Sequence, residues 1–261
     1  MFLELAQSVA VITGAGSGIG RASAHAFARR GAKVVVTDLD GDRAHNVAAE
    51  IGEAATAVRC DVTRVVDLEA ARDAALERFG HIDLVMNNVG VLAVGPAETI
   101  PIEGWERIVD INLMSVVRSL SVFLPSLLGQ GSGHIVNTAS TAGLFPYGYD
   151  RLPYTTTKHA IVGLSESLAV YLRPRGIGVS CFCPAGVMTN IVEQITFYGE
   201  PRPPRGPNFG VIDADAAGEL VAEAVTAGRF LILTTDEAKD ELRERGNDIE
   251  AYLDRIVKDY T

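Results

Sequence analysis

The chain has 261 residues and a formal net charge of −10, with 48% hydrophobic and 21% charged residues. That composition supplies a buried core and excludes an intrinsically disordered chain. The acidic balance repels phosphate backbones and anionic lipid, so neither nucleic acid nor a membrane is expected as a partner.

In chain order, VAVIT (9–13) reads as a strand running into glycines, and 20–30 as a helix closed by Gly31. A buried-type strand at 33–37, a helix at 42–51 and an extended stretch at 56–59 follow. Then come a helix at 65–79, a strand at 82–86, a long helical pattern at 102–128 and a strand at 134–138. A helix at 154–172, a strand at 179–183, a helix at 214–226 and an extended run at 230–233 complete the rhythm. Continuously apolar strands alternating with helices imply one α/β domain spanning 1–261, with a Rossmann-type doubly wound parallel sheet and helices on both faces.

Two segments break the pattern. The stretch 195–209 holds GEPRPPRGPN, whose prolines forbid a regular helix or central strand. It is expected as part of a lid over a site, about 190–210, since long irregular loops in compact domains tend to be functional. The helical tail at about 235–261 carries Ile249, Tyr252, Leu253, Ile256, Val257 and Tyr260 on one stripe, suited equally to its own domain or to a second subunit.

The cysteines, Cys60, Cys181 and Cys183, are odd in number and form no CxxC. They suit a reduced compartment and small packed thiols. The opening MFLELAQ has no basic n-region, and no apolar run approaches the ~20 residues of a membrane span, so a cytoplasmic protein is expected. His25, His45, His81 and His134 show no ligand spacing, so no metal is expected; His159 lies about 100° round a helix from Lys158 and reads as packing.

The chemistry begins at TGAGSGIG (13–20), with Gly14, Gly16, Gly18 and Gly20 between the first strand and first helix. Small residues there let backbone N–H groups approach a phosphate at a helix N-terminus. Asp38 ends the second strand, where a carboxylate can accept hydrogen bonds from a ribose. Against the 2′-phosphate of NADP the same carboxylate costs a few kcal/mol at an effective dielectric of about 20. Ala15, Ser17 and Leu39 offer no cation to reverse that, and Arg43 lies five residues on, so NAD is expected.

In YTTTK (154–158), Tyr154 and Lys158 stand at i and i+4 and share a helix face, with Pro153 suited to the first turn. An ammonium about 5 Å from a phenol favours the phenolate by roughly 3 kcal/mol, or about 2 pK units. The expectation is a general acid–base working near pH 7 to 8.

TGAGSGIG, CDV (60–62), NNVG (87–90), IN (111–112), the serine of NTAS (137–140), YTTTK and CPAGVMT (183–189) stand in one order. In this the chain resembles the single-domain short-chain dehydrogenases/reductases. The resemblance implies that Gly14, Ser17, Gly18, Ile19 and Gly20 hold the cofactor. It implies that Asp61 and Val62 meet the adenine, the Asn88 backbone the adenosine ribose, and Val187 and Thr189 the nicotinamide and diphosphate, with Gly90 also at the cofactor. Asn112, Ser140, Tyr154 and Lys158 match the family's catalytic tetrad: Ser140 binds the substrate oxygen, Tyr154 moves the proton, Lys158 tunes it and bonds the nicotinamide ribose, and Asn112 anchors a relay water. Val89 stands where the family usually has alanine, Ala185 where it has glycine, and the link from Ser140 to Tyr154 is one residue longer.

The substrate side is expected to involve Ser140, Leu144, Tyr147 and Tyr154, with Ile191 and Phe197 from the lid. Val91, Leu92 and Val94 would add to this apolar, aromatic lining, which suits a hydrophobic secondary alcohol or ketone. Arg151, Arg202 and Arg205 leave a carboxylate or an acyl-carrier thioester open. The reading is an NAD-dependent alcohol dehydrogenase/ketone reductase, with a non-catalytic dinucleotide-sensing protein or a 3-oxoacyl thioester reductase as alternatives. The helices at 102–128 and 154–172 resemble the family's subunit-contact pair, which implies a homotetramer, or failing that a dimer.

Overall fold

The computed structural model describes residues 3–146, 149–189, 194–200 and 209–260, the side chains of 259 and 260 excepted. Its strands are β1 (Val9–Thr13), β2 (Lys33–Asp38), β3 (Ala55–Arg59), β4 (Leu84–Asn87), β5 (Leu92–Val94), β6 (Gly133–Thr138), β7 (Ile177–Cys183), β8 (Gly186–Met188), β9 (Ile195–Phe197), β10 (Val211–Asp213) and β11 (Leu231–Leu233). Its helices are α1 (Gly18–Arg29), α2 (Gly41–Ile51), α3 (Val65–Phe79), α4 (Ile102–Ile108), α5 (Ser115–Gln130), α6 (Leu152–Leu172), α7 (Ala214–Thr226), α8 (Glu237–Asn247) and α9 (Ile249–Tyr260).

Seven strands form one parallel sheet in the order β11-β7-β6-β4-β1-β2-β3. Along β1, Ala10 and Ile12 point into one core and Val9 and Val11 into the other, because successive side chains leave a strand on opposite faces. The first core packs the sheet against α1, α2 and α7, and the second against α3, α5 and α6. Both faces are therefore covered, which is why VAVIT and IGVSCFC are buried throughout. On the first face α7 crosses α1 closely: a Cβ on Gly218 would lie 2.5 Å from the Ala22 carbonyl carbon. This is the Rossmann-type fold expected from the pattern.

The strand order reverses between β1 and β4, with β2 and β3 on one side and β6, β7 and β11 on the other. In such sheets the crevice opens beyond the carboxyl ends of the strands at that reversal. Those ends deliver Gly14, Asp38, Asp61, Asn88, Ser140 and Pro184 to one edge.

The structure departs from the expected elements at particular places. The long pattern at 102–128 is one helical run interrupted by a π-helical segment at Val109–Met114, which carries Asn112. An 18-residue window in 102–130 reaches a mean hydropathy of 1.6, a membrane-like value missed in the sequence, but Val116, Val122, Phe123 and Leu127 bury its apolar face in the protein. The stretch opening the proposed lid is not wholly irregular, since Ile195–Phe197 pairs in parallel with Leu92–Val94. Residues 190–193 and 201–208, with Arg202 and Arg205, lie outside the described residues. The tail stripe divides: Tyr252 and Ile256 bury against Phe145, Ala238 and Leu233, while Ile249, Leu253 and Val257 face outward.

Candidate active site

The glycine turn leaves β1 and opens α1. Gly14 and Gly18 take φ of +63° and +52°, a region that side chains disfavour. A Cβ on Gly20 would lie 2.2 Å from the Gly14 carbonyl oxygen, so only glycine lets the helix close on the turn. The Thr13 hydroxyl accepts from the Asn88 amide at 3.0 Å, and Asn88 Nδ2 donates to the Gly14 carbonyl at 3.2 Å. Two bonds thus lock the β1 and β4 loops together across the crevice.

Asp38 stands at the tip of β2. Its carboxylate accepts from the Gly16 amide at 2.9 Å and the Asp40 amide at 3.0 Å. Asp61, just past β3, accepts from the Thr63 amide and hydroxyl at 2.9 and 2.7 Å. The bond from the Thr63 side chain is the main reason its carboxyl sits below the usual range. These groups wall a cleft of about 510 Å³. Gly14, Ser17, Gly18 and Ile19 line it from one side, Asp38, Asp61 and Val62 from a second, and Asn88, Gly90 and Thr189 from a third. Gly20 lies buried beneath it. The glycine cradle, the helix N-terminus and the two carboxylates fit a dinucleotide. Sequence reasoning missed Arg107 and Ile111 on the far wall; their spacing of four on a helix was the available signal.

A second cavity of about 380 Å³ adjoins the first, sharing Ile19, Asn88, Gly90 and Thr189 as a common wall. Ser140, Tyr154, Lys158 and Val187 line it. Lys158 Nζ donates to the Thr138 carbonyl at 2.8 Å and lies 5.6 Å from the centre of the Tyr154 ring. A Cβ on Gly90 would come within 3.2 Å of that amine, so the absence of a side chain at 90 gives the lysine its room. Ser140 Oγ accepts from the Ala142 amide at 3.1 Å, donates to the Pro184 carbonyl across a long 3.4 Å, and hydrogen-bonds the Tyr154 side chain.

The ionisation of the pair corrects the sequence expectation. Tyr154 is half-buried in the cavity wall, and burial pushes its hydroxyl above the ordinary value; the Ser140 bond and the Arg151 charge oppose that shift without cancelling it. Burial lowers Lys158 to about 8. Both charged forms lose hydration at the cavity floor, and that loss outweighs the attraction expected from spacing alone.

Asn112 does not line the cavity. It is fully buried, with Oδ1 accepting from the Val91 amide at 2.8 Å and Nδ2 donating to the Val91 carbonyl at 3.0 Å and to Thr157 Oγ1 at 3.3 Å. Its side chain clamps the loop after β4 to α6. Leu144 is not brought to the cavity either; it packs inward with Phe145 and Ile161. Phe197 is exposed on β9, and Tyr147 and Ile191 lie outside the described residues. Leu92, Arg151, Phe209 and Val211 line the cavity in their place. Phe209, held 6.1 Å from the Phe145 ring, comes from the end of the segment read as a lid.

The remaining candidates stand apart. His159 Nδ1 contacts the Thr155 carbonyl in its own helix. His134 is buried against Ser180, and burial lowers it to about 3. Cys181 and Cys183 are buried with their sulfurs 3.7 Å apart. Among the described residues, no group of three or more His, Cys, Asp or Glu side chains is placed to hold a metal.

Residues 8–197 match the short chain dehydrogenase family. The chain is 38% identical over 253 residues to a 1-deoxy-11-beta-hydroxypentalenate dehydrogenase of Streptomyces exfoliatus, covering 95% of this chain and 90% of that protein. It is 38% identical over 191 residues to a cyclohexanol dehydrogenase of Acinetobacter sp. (strain SE19), covering 71% and 75%. A short-chain dehydrogenase/reductase of Burkholderia phymatum, solved in complex with NAD, superposes with a TM-score of 0.84 at 35% identity, covering 96% of each chain. The chain belongs to the short-chain dehydrogenase/reductase family.

Proposed function

We propose that this oxidoreductase interconverts an apolar secondary alcohol and its ketone with NAD, using Tyr154 as general acid–base. The observation that carries this reading is the meeting of Ser140, Tyr154 and Lys158 in a cavity continuous with the glycine-lined cleft. When bound, the nicotinamide supplies the hydride acceptor or donor.

The chain's own groups do the rest. The Ser140 hydroxyl, whose bond to Pro184 is long and easily exchanged, turns its proton to the substrate oxygen. Tyr154, already hydrogen-bonded to Ser140, first gives up its own proton to solvent, takes the alcohol proton as the phenolate during oxidation, and as the phenol donates it during reduction. Lys158 keeps one N–H on Thr138, which fixes its amine near the phenol in the wall of the cavity. Asn112 holds the loop that carries Gly90 and so preserves the room for that amine.

The proposed preference for NAD is supported by Asp38, a carboxylate at the tip of β2 that lines the cleft and would repel a 2′-phosphate bound beside it. Arg43 pairs with Asp40 at 3.4 Å. The apolar walls Leu92, Val187, Phe209 and Val211 favour a hydrocarbon ring or chain around the carbinol, in keeping with relatives named for cyclohexanol and hydroxypentalenate. The proposal extends to a cytoplasmic homotetramer. Three buried, unbridged cysteines suit a reducing compartment, and exposed apolar side chains on α5 (Val117, Leu128) and α6 (Val170, Tyr171) suit a subunit contact.

The deciding experiment offers a panel of alicyclic secondary alcohols with NAD⁺ and NADP⁺ separately. Turnover with NAD⁺ that disappears in Tyr154→Phe is expected. Cofactor binding without turnover of any alcohol or ketone would instead favour the dinucleotide-sensing reading.

A further inference from the structure

The cavity above Tyr154 is lined mostly by apolar and small uncharged residues, yet its two charged lining side chains are both cations, Arg151 and Lys158. No carboxylate lines it among the described residues. Lys158 is committed at the floor to Thr138. Arg151 stands one helical turn before Tyr154, on the same wall. Behind it Asp150, only 2% exposed, accepts from Arg151 Nε at 3.1 Å. The Asp150 carbonyl also accepts from the Gly95 amide at 2.6 Å, which ties this loop to the end of β5.

A buried carboxylate and a half-buried guanidinium are costly unless paired, and these two pair with each other. Asp150 accepts the Nε–H of Arg151 and thereby fixes the plane of its guanidinium in the cavity wall. A guanidinium fork recognises carboxylates by short, charge-assisted bonds. The facing wall of Leu92, Val187 and Phe209 suits a ring.

We propose that Arg151, aimed by Asp150, is a specificity-determining residue that selects a hydroxy acid: an alicyclic secondary alcohol carrying a carboxylate a few ångströms from its carbinol. The hydroxyl faces Ser140 and Tyr154 while the carboxylate meets the guanidinium. This rests on the oxidoreductase reading for the position of the carbinol.

The test pairs 3-hydroxycyclohexanecarboxylate with its methyl ester as substrates. It pairs cyclohexanecarboxylate with its methyl ester as non-reacting ligands, titrated calorimetrically into the NADH-loaded protein. Wild type is expected to favour the acid over the ester by roughly 10- to 100-fold in both affinity and kcat/KM, the worth of a charge-assisted bond. Arg151→Gln should erase the preference and Arg151→Lys should restore part of it. Because R151Q strands the Asp150 carboxylate, the double variant D150N/R151Q is measured beside it and should also lack the preference. Equal affinity for acid and ester, or a preference that survives in both variants, overturns the proposal. Turnover of both alcohols without preference overturns this inference alone. Carboxylate-selective binding with no oxidation of either alcohol overturns the oxidoreductase reading and leaves the anion subsite standing.

Discussion

Lys158 Nζ donates to the carbonyl of Thr138 at 2.8 Å, joining α6 to the last residue of β6 beneath the Tyr154 ring. The bond holds a buried amine that burial has lowered from 10.5 to about 8. Between those values the unfolded chain binds a proton that the folded chain does not, so this group makes stability rise with pH across that window. Its full contribution is about 3 kcal/mol. In cofactor-free protein, the stability of wild type relative to Lys158→Met should therefore improve from pH 7.5 to 10, read from denaturant unfolding at each pH. A gap that stays constant with pH would refute the burial argument.

Tyr154 shifts the other way. Its folded value lies above the ordinary one, so the phenol stays protonated where an unfolded tyrosine begins to ionise. Its stabilising contribution is present below pH 10 and is lost as pH rises further. An ultraviolet difference titration of wild type against Tyr154→Phe should show this phenol ionising later than a free tyrosine. Under the proposed chemistry, kcat/KM for alcohol oxidation should climb through neutral pH toward the alkaline side, and ketone reduction should fall. A midpoint near 7 in the protein alone would restore the simpler picture of one ammonium acting on one phenol.

Asp38 is expected to govern cofactor choice. Replacing it with alanine removes the acceptor for the Gly16 and Asp40 amides and the charge that opposes a 2′-phosphate. The kcat/KM for NAD⁺ should fall by roughly 10- to 100-fold, the cost of losing a hydrogen bond to a charged group. The NADP⁺/NAD⁺ ratio should rise at least tenfold. An unchanged ratio would locate the discrimination elsewhere in the cleft.

Gly20 has no tolerable alternative. The 2.2 Å approach of a Cβ to the Gly14 oxygen is a hard overlap with backbone. Gly20→Ala should destabilise the protein by about 3 kcal/mol, as overpacking against unyielding atoms does, and should weaken dinucleotide binding with it. Thermal unfolding and a cofactor titration read the two effects separately. Gly163, which would meet nothing within 4 Å, supplies the control: Gly163→Ala should leave both nearly unaltered.

The local sequence determined what repeats along the chain or sits at fixed spacing. Runs such as VAVIT and KVVVT read as strands covered on both faces, and the glycines from 14 to 20 marked a tight turn into α1, with special backbone at Gly14 and Gly18. The pairing of Tyr154 with Lys158 on one side of a helix followed from i, i+4 geometry, and Asp38 from its place at a strand end. Tertiary structure decided everything that depends on what lies across the fold. The three-residue strands at Leu92–Val94 and Ile195–Phe197 exist only because each finds the other, and segments that short carry no periodic signal. Asn112 became a clamp because a π-helical turn aims its amide at Val91, and Leu144 turned inward because Phe145 and Ile161 offered it a core. The ionisation of the central pair was decided the same way: spacing sets the attraction between two groups, but only the surrounding chain sets how much water each has lost.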